Sequence, residues 1–83
     1  MNEVPPLPEQ SQDYRSLDLD TLRKRIRSLN SRAGQMKMDL HDLAEGLPTD
    51  FEQLPRLAAE THEIFALLDR MRACLREREQ QRS

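Results

Sequence analysis

The residue types best suited to chemistry are gathered in one short run, Lys37-Met38-Asp39-Leu40-His41-Asp42-Leu43-Ala44-Glu45, with His62 and Cys74 standing apart from it. His41 and Glu45 are four residues apart and share one face of a helix, where an imidazole and a carboxylate can pair or contribute to a metal site. Mutual pairing on a solvated face is the ordinary use of such a spacing. A carboxylate-bridged two-metal bundle needs Glu-x-x-His, but Met38 stands three residues before His41 and Ala59 three before His62. His41 is therefore a lone ligand candidate, and neither a metal centre nor another cofactor is expected. Cys74 has no second cysteine to form an internal disulfide or a redox pair, and it reads as a small hydrophobe on the flank of a core.

Cations offer a second chemistry. Residues 19–37 carry Arg23, Lys24, Arg25, Arg27, Arg32 and Lys37 against Asp20 alone, a net charge of +5. Residues 39–63 carry seven carboxylates (Asp39, Asp42, Glu45, Asp50, Glu52, Glu60, Glu63) against Arg56, a net charge of −6. Clustered cations can neutralise phosphates, so, beside a small metal-binding protein using His41, the other alternative function is an RNA-binding helical bundle. Against it, no aromatic lies among these cations to stack a base, the isoelectric point is about 5.6, and cations beside a helical seam commonly serve interhelical pairing.

These side chains need helices to hold them. From Leu19 the apolar residues Leu19, Leu22, Ile26, Leu29, Ala33, Met36, Leu40, Leu43 and Leu47 alternate spacings of three and four without a break. That is a heptad seam, with Leu19 at position a. Asp18 is a suitable N-cap, and Gly46 before Leu47-Pro48 supplies a left-handed stop and then a breaker, which predicts helix 1 over about 19–45. Gly34 inside it costs about 1 kcal/mol relative to Ala and points to a close approach by a neighbouring helix. A loop over 46–54 follows, in which Thr49 and Glu52 have the spacing of a capping box. The second seam is Leu54, Leu57, Thr61, Ile64, Leu68, Met71 and Leu75, predicting helix 2 over about 55–78. Ala58, Phe65, Leu67 and Cys74 widen it beyond what helix 1 can cover. Residues 1–17, with Pro5, Pro6 and Pro8, read as a flexible tail, and residues 80–83 as a frayed end.

The fold class is thus all-α, an antiparallel two-helix hairpin. The shared core would be Leu22, Ile26, Leu29, Ala33, Met36, Leu40 and Leu43 from helix 1 against Leu57, Thr61, Ile64, Leu68, Met71 and Leu75 from helix 2. Two helices alone leave much of each seam in water, and 83 residues without a disulfide or metal are few for a stable core. The expectation is a homodimer that closes the seams into a four-helix bundle. No apolar run approaches the roughly 18 residues of a membrane span, and the N-terminus lacks a basic-then-apolar signal segment, so the expected location is the cytoplasm.

Two resemblances bear on function. Leu17-Asp18-Leu19-Asp20-Thr21-Leu22-Arg23-Lys24-Arg25-Ile26 is similar to the opening of the helical chorismate mutases, over about ten residues only. Those enzymes need a third helix and a pocket of converging cations, neither of which follows here, so no catalysis is expected. The run from Ser31 through Lys37-Met38-Asp39-Leu40-His41-Asp42-Leu43-Ala44-Glu45 to Gly46-Leu47-Pro48 resembles the small Rop-like proteins encoded in nitrogen-fixation gene clusters, with a looser match onward through Leu54-Pro55 and Thr61 to Phe65. The resemblance implies a hairpin assembling as in the plasmid-copy-control protein Rop. It also implies a non-catalytic association with a nitrogenase component or an intermediate of its maturation. On that basis Lys37, Asp39, His41, Asp42 and Glu45 would supply polar contacts to the partner, and Phe65 and Leu67 apolar anchors.

Overall fold

A computed structural model describes residues 12–82, with side chains described for 14–81. It contains two long helices, α1 (Leu19–Glu45) and α2 (Leu54–Arg82), preceded by a 3-10 turn at Gln12–Ser16 and joined through a second 3-10 turn at Phe51–Gln53. Among the described residues there is no strand, and the fold is the antiparallel helical hairpin.

The start and stop of α1 coincide with its sequence signals, though not by the expected chemistry. Asp18 stands at the N-cap in an extended conformation, and its carbonyl accepts the Leu22 amide at 2.9 Å. Its carboxylate falls short of a capping bond to an amide, yet the neighbouring Thr21 hydroxyl holds its pKa below the ordinary carboxylate value. Gly46 closes the helix in a right-handed conformation, its amide reaching back to the carbonyls of Asp42 and Leu43 at 3.2 Å. The left-handed residue is Asp50, with φ 59°, a conformation its short side chain tolerates. Asp50, not Thr49, stands at the cap of the loop's 3-10 turn, and no side-chain capping bond forms there. The predicted Thr49–Glu52 box is therefore replaced by a backbone turn, in which the Gln53 amide donates to the Asp50 carbonyl at 3.0 Å.

Helix α2 starts at Leu54, one residue earlier than expected, because the 3-10 turn leads straight into it and Pro55 lies in the first turn, where its missing N–H costs nothing. It also runs on to Arg82, past the expected end near 78. Residues 77–82 hold Glu, Arg and Gln without a breaker, and Arg23 clasps Glu79 at 2.9 Å across the hairpin. One heptad along, Arg72 donates to Asn30 at 2.8 Å. The register is constant: seven residues up α1 correspond to seven residues down α2, as the paired seams require.

The core is uneven along the hairpin. Leu22, Ile26, Leu29 and Ala33 of α1 bury against Leu67, Leu68 and Met71 of α2, with Leu17, Ile64, Cys74 and Leu75 partly buried around them. Tyr14 completes this cluster at 3% exposure. The tail predicted for residues 1–17 therefore has a structured end: the turn at Gln12–Ser16 lays Tyr14 and Leu17 over the half of the seam away from the loop. Residues 1–11, with the prolines, lie outside the described residues. Leu67, expected as a partner anchor, is consumed by this core at 4% exposure.

Toward the loop, Met36, Leu40, Leu43, Leu54, Leu57, Thr61 and Ile64 are only half-buried. Thr61 satisfies its hydroxyl locally, donating to the Leu57 carbonyl at 2.8 Å. The dimer expectation rested on seams left largely in water, and the seam is less buried toward the loop than in the other half, where only Leu19 and Leu75 are partly exposed. Gly34 meets no close neighbour in the chain, since a Cβ added there would find nothing within 4 Å. With no contact to lose and helical backbone to gain, Gly34→Ala should stabilise the hairpin by about 1 kcal/mol in urea unfolding. A loss of stability would show that Gly34 has a neighbour in an assembly.

Candidate partner-binding surface

The run at 37–45 forms the last two turns of α1, where its polar side chains face solvent. His41 lies between two carboxylates, with Nδ1 at 3.7 Å from Asp42 and Nε2 at 3.4 Å from Glu45. All three side chains are about two-thirds or more exposed, so these pairs contribute little to stability. Asp39 accepts a hydrogen bond from Gln35 at 3.0 Å, again along the helix surface. Among the described residues no group of three or more His, Cys, Asp and Glu side chains has the arrangement of a metal site.

Register places the remaining candidates. Continuing the ladder Arg23–Glu79 and Asn30–Arg72 by one heptad sets Lys37 opposite Phe65, and by two sets Ala44 opposite Ala58. The register thus places Lys37 and Phe65 at the same height on one edge of the loop half, and Phe65 remains 37% exposed. Toward the open end this edge carries the Arg23–Glu79 and Arg72–Asn30 clasps.

The other edge holds what the sequence did not single out. An open groove of about 470 Å³ runs between the helices, with Met36, Ala59 and Ile64 in its lining and Arg32, Arg56, Glu60 and Glu63 around them. Asp39, one heptad on from Arg32, continues its rim toward the loop. At the tip, Phe51 is 57% exposed, beside Asp50 and Glu52. Met36 and Ile64 had been assigned wholly to the core, and Glu60 and Glu63 only to a charge block. The available signal was that Glu60 and Glu63 flank the seam positions on which Met36 and Ile64 stand. At the opposite end, Cys74 lines a shallow hollow with Tyr14, Arg15, Arg70 and Arg78, on the side closed by Tyr14.

Comparison with known proteins fixes the family. The Rop-like family model matches residues 17–80. The chain belongs to the Rop-like family. Its relatives include a UPF0437 protein of Trichormus variabilis, 55% identical over 58 residues, covering 70% of this chain and 67% of the relative. Another is a UPF0437 protein of Frankia alni described as lying in the nifX–nifW intergenic region, 42% identical over 67 residues and covering 80% and 82%. A crystal structure of a DUF683-family protein from the cyanobacterium Cyanothece 51142 superposes with a TM-score of 0.69 at 59% identity, covering 71% of this chain and 97% of that one. The match to this Rop-like chain takes in both helices and the loop, and starts just after the Tyr14 turn.

Proposed function

We propose that this Rop-like chain is a non-catalytic accessory protein of nitrogen fixation that binds a nitrogenase component, or an assembly intermediate of it, through the loop half of the hairpin. The observation that carries the reading is the unsealed stripe from Met36 to Ile64 beside an acidic surface, an arrangement a finished monomer has no use for. The nif setting of the Frankia alni relative supports the choice of partner. When the partner is absent, a second copy covers the same stripe as a homodimer. Partner and protein would meet in the cytoplasm.

The test is recovery of a nitrogenase component with the tagged protein from cells grown under nitrogen-fixing conditions. Charge reversal at Asp39, Asp42 and Glu45 together should lower recovery by about tenfold or more, because these exposed carboxylates guide and orient the encounter. Unchanged recovery would remove that face from the interface, and no recovery with the unaltered protein would remove the partner.

A further inference from the structure

We infer that the groove of the loop half is built for a cationic amphipathic helix presented by a partner protein. The inference rests on the reading of the loop half as the binding surface and adds the chemistry of what binds. Two antiparallel helices leave a furrow between them, and the regular structure that fills such a furrow with a stripe of side chains is a third helix. The open stretch of α1 from Met36 to Glu45 is ten residues, about 15 Å, the length of two to three helical turns. The protein already contains a short version of this contact. In the open half the turn at Gln12–Ser16 and the residue after it bring Tyr14 and Leu17, three residues apart, onto the core cluster, Tyr14 buried and Leu17 partly so. An occupant of the loop half needs the same i, i+3 spacing, continued for another turn or two.

Charge selects the kind of helix. Residues 39–63 carry a net charge of −6; the groove's own lining balances Glu60 and Glu63 against Arg32 and Arg56, and Asp39, Asp42 and Glu45 extend the acidic surface beyond it toward the loop. A helix flanking its apolar stripe with Lys or Arg is steered onto this surface and pairs along its rim. A second copy meets the opposite conditions. The apolar stripe of its basic half, Leu22, Ile26 and Leu29, is already buried, and the stripe it has free comes with the same carboxylates. Homodimerisation through this face is therefore the weaker occupancy, displaced by the cationic helix.

The probe is a synthetic helical peptide of about 18 residues, roughly five turns, made of Leu and Lys with Leu at alternating spacings of three and four. Two controls accompany it: a scramble of the same composition, and a version with Glu in place of Lys. Labelled-peptide anisotropy and amide chemical shifts of the full chain give the readouts. The Leu/Lys helix should bind at least about tenfold more tightly than either control, and more weakly when salt is raised from about 0.05 M to about 0.5 M. Its shifts should centre on Met36, Leu40, Leu57 and Ile64. The variant carrying Asp39→Lys, Glu60→Lys and Glu63→Lys should lose the preference for Lys over Glu while keeping its helical spectrum. Equal binding of the scramble, a footprint at the Tyr14 end, or a dimer that the peptide fails to displace would overturn the inference. Failure to recover a nitrogenase component while the Leu/Lys helix still binds would overturn the choice of partner alone.

Discussion

Leu68→Ala should lower the free energy of unfolding by about 2–5 kcal/mol and leave the hairpin largely unfolded near room temperature. Leu68 is at 0% exposure, in the cluster that Leu29, Ala33 and Met71 share between the paired helices. Deleting its three side-chain carbons loses their transfer free energy, and the long rigid helices cannot collapse into the space. A helical domain of this length has on the order of 5–10 kcal/mol in total, so the loss takes half or more of it. The same substitution at half-buried Leu57 should cost about 1 kcal/mol, since most of the surface it removes is already wet. Urea unfolding followed by far-UV circular dichroism, at low protein concentration so that self-association does not contribute, compares the two. Equal losses would mean that the loop half is as well sealed as the open half, and the binding surface would lose its physical basis.

The gap between these two leucines marks where the sequence stops being informative. Both occupy seam positions, and heptad spacing assigns them the same role. The two helices and their antiparallel pairing were legible, because period 3.5 fixes which side chains face the partner helix; of the seam residues, Leu22, Ile26, Leu29, Ala33, Leu68 and Met71 are buried and the others only in part. Helix ends were less so. The stop at Gly46 was placed correctly for a left-handed glycine that turned out right-handed, with the left-handed conformation four residues on at Asp50. Continuation to Arg82 depended on the Arg23–Glu79 clasp, which only the register reveals. The difference between the halves was invisible for another reason. The open half gains an aromatic from a proline-bearing segment that shows no period. Tyr14 has no repeat to announce it, yet it joins a cluster whose α2 members, Leu67, Leu68 and Met71, lie more than fifty residues away in the chain.

Tyr14→Ala should therefore do more than destabilise. Its cost should be about 2–4 kcal/mol, below that of an aromatic held between two helices, because the turn at Gln12–Ser16 can detach without disturbing α1 and α2. Tyr14→Phe keeps the ring and should stay within about 0.5 kcal/mol. Amide exchange should accelerate around Leu22, Leu29, Leu68 and Met71 and remain unchanged around Leu43 and Leu57. The larger consequence is for assembly. With the seam open along its whole length, a second copy can lie antiparallel over the first, setting the acidic loop half of each against the +5 block of the other. That contact joins apolar burial to opposite charge, so self-association of the variant should tighten by about tenfold or more and weaken as salt is added. Dimerisation of the unaltered chain through its loop halves brings like charges together and should strengthen with salt instead. Sedimentation at two ionic strengths reads the sign directly. Opposite signs for the two proteins would establish Tyr14 as the residue that confines binding to one half of the hairpin, whereas the same sign for both would mean that the turn stabilises the core without choosing the surface.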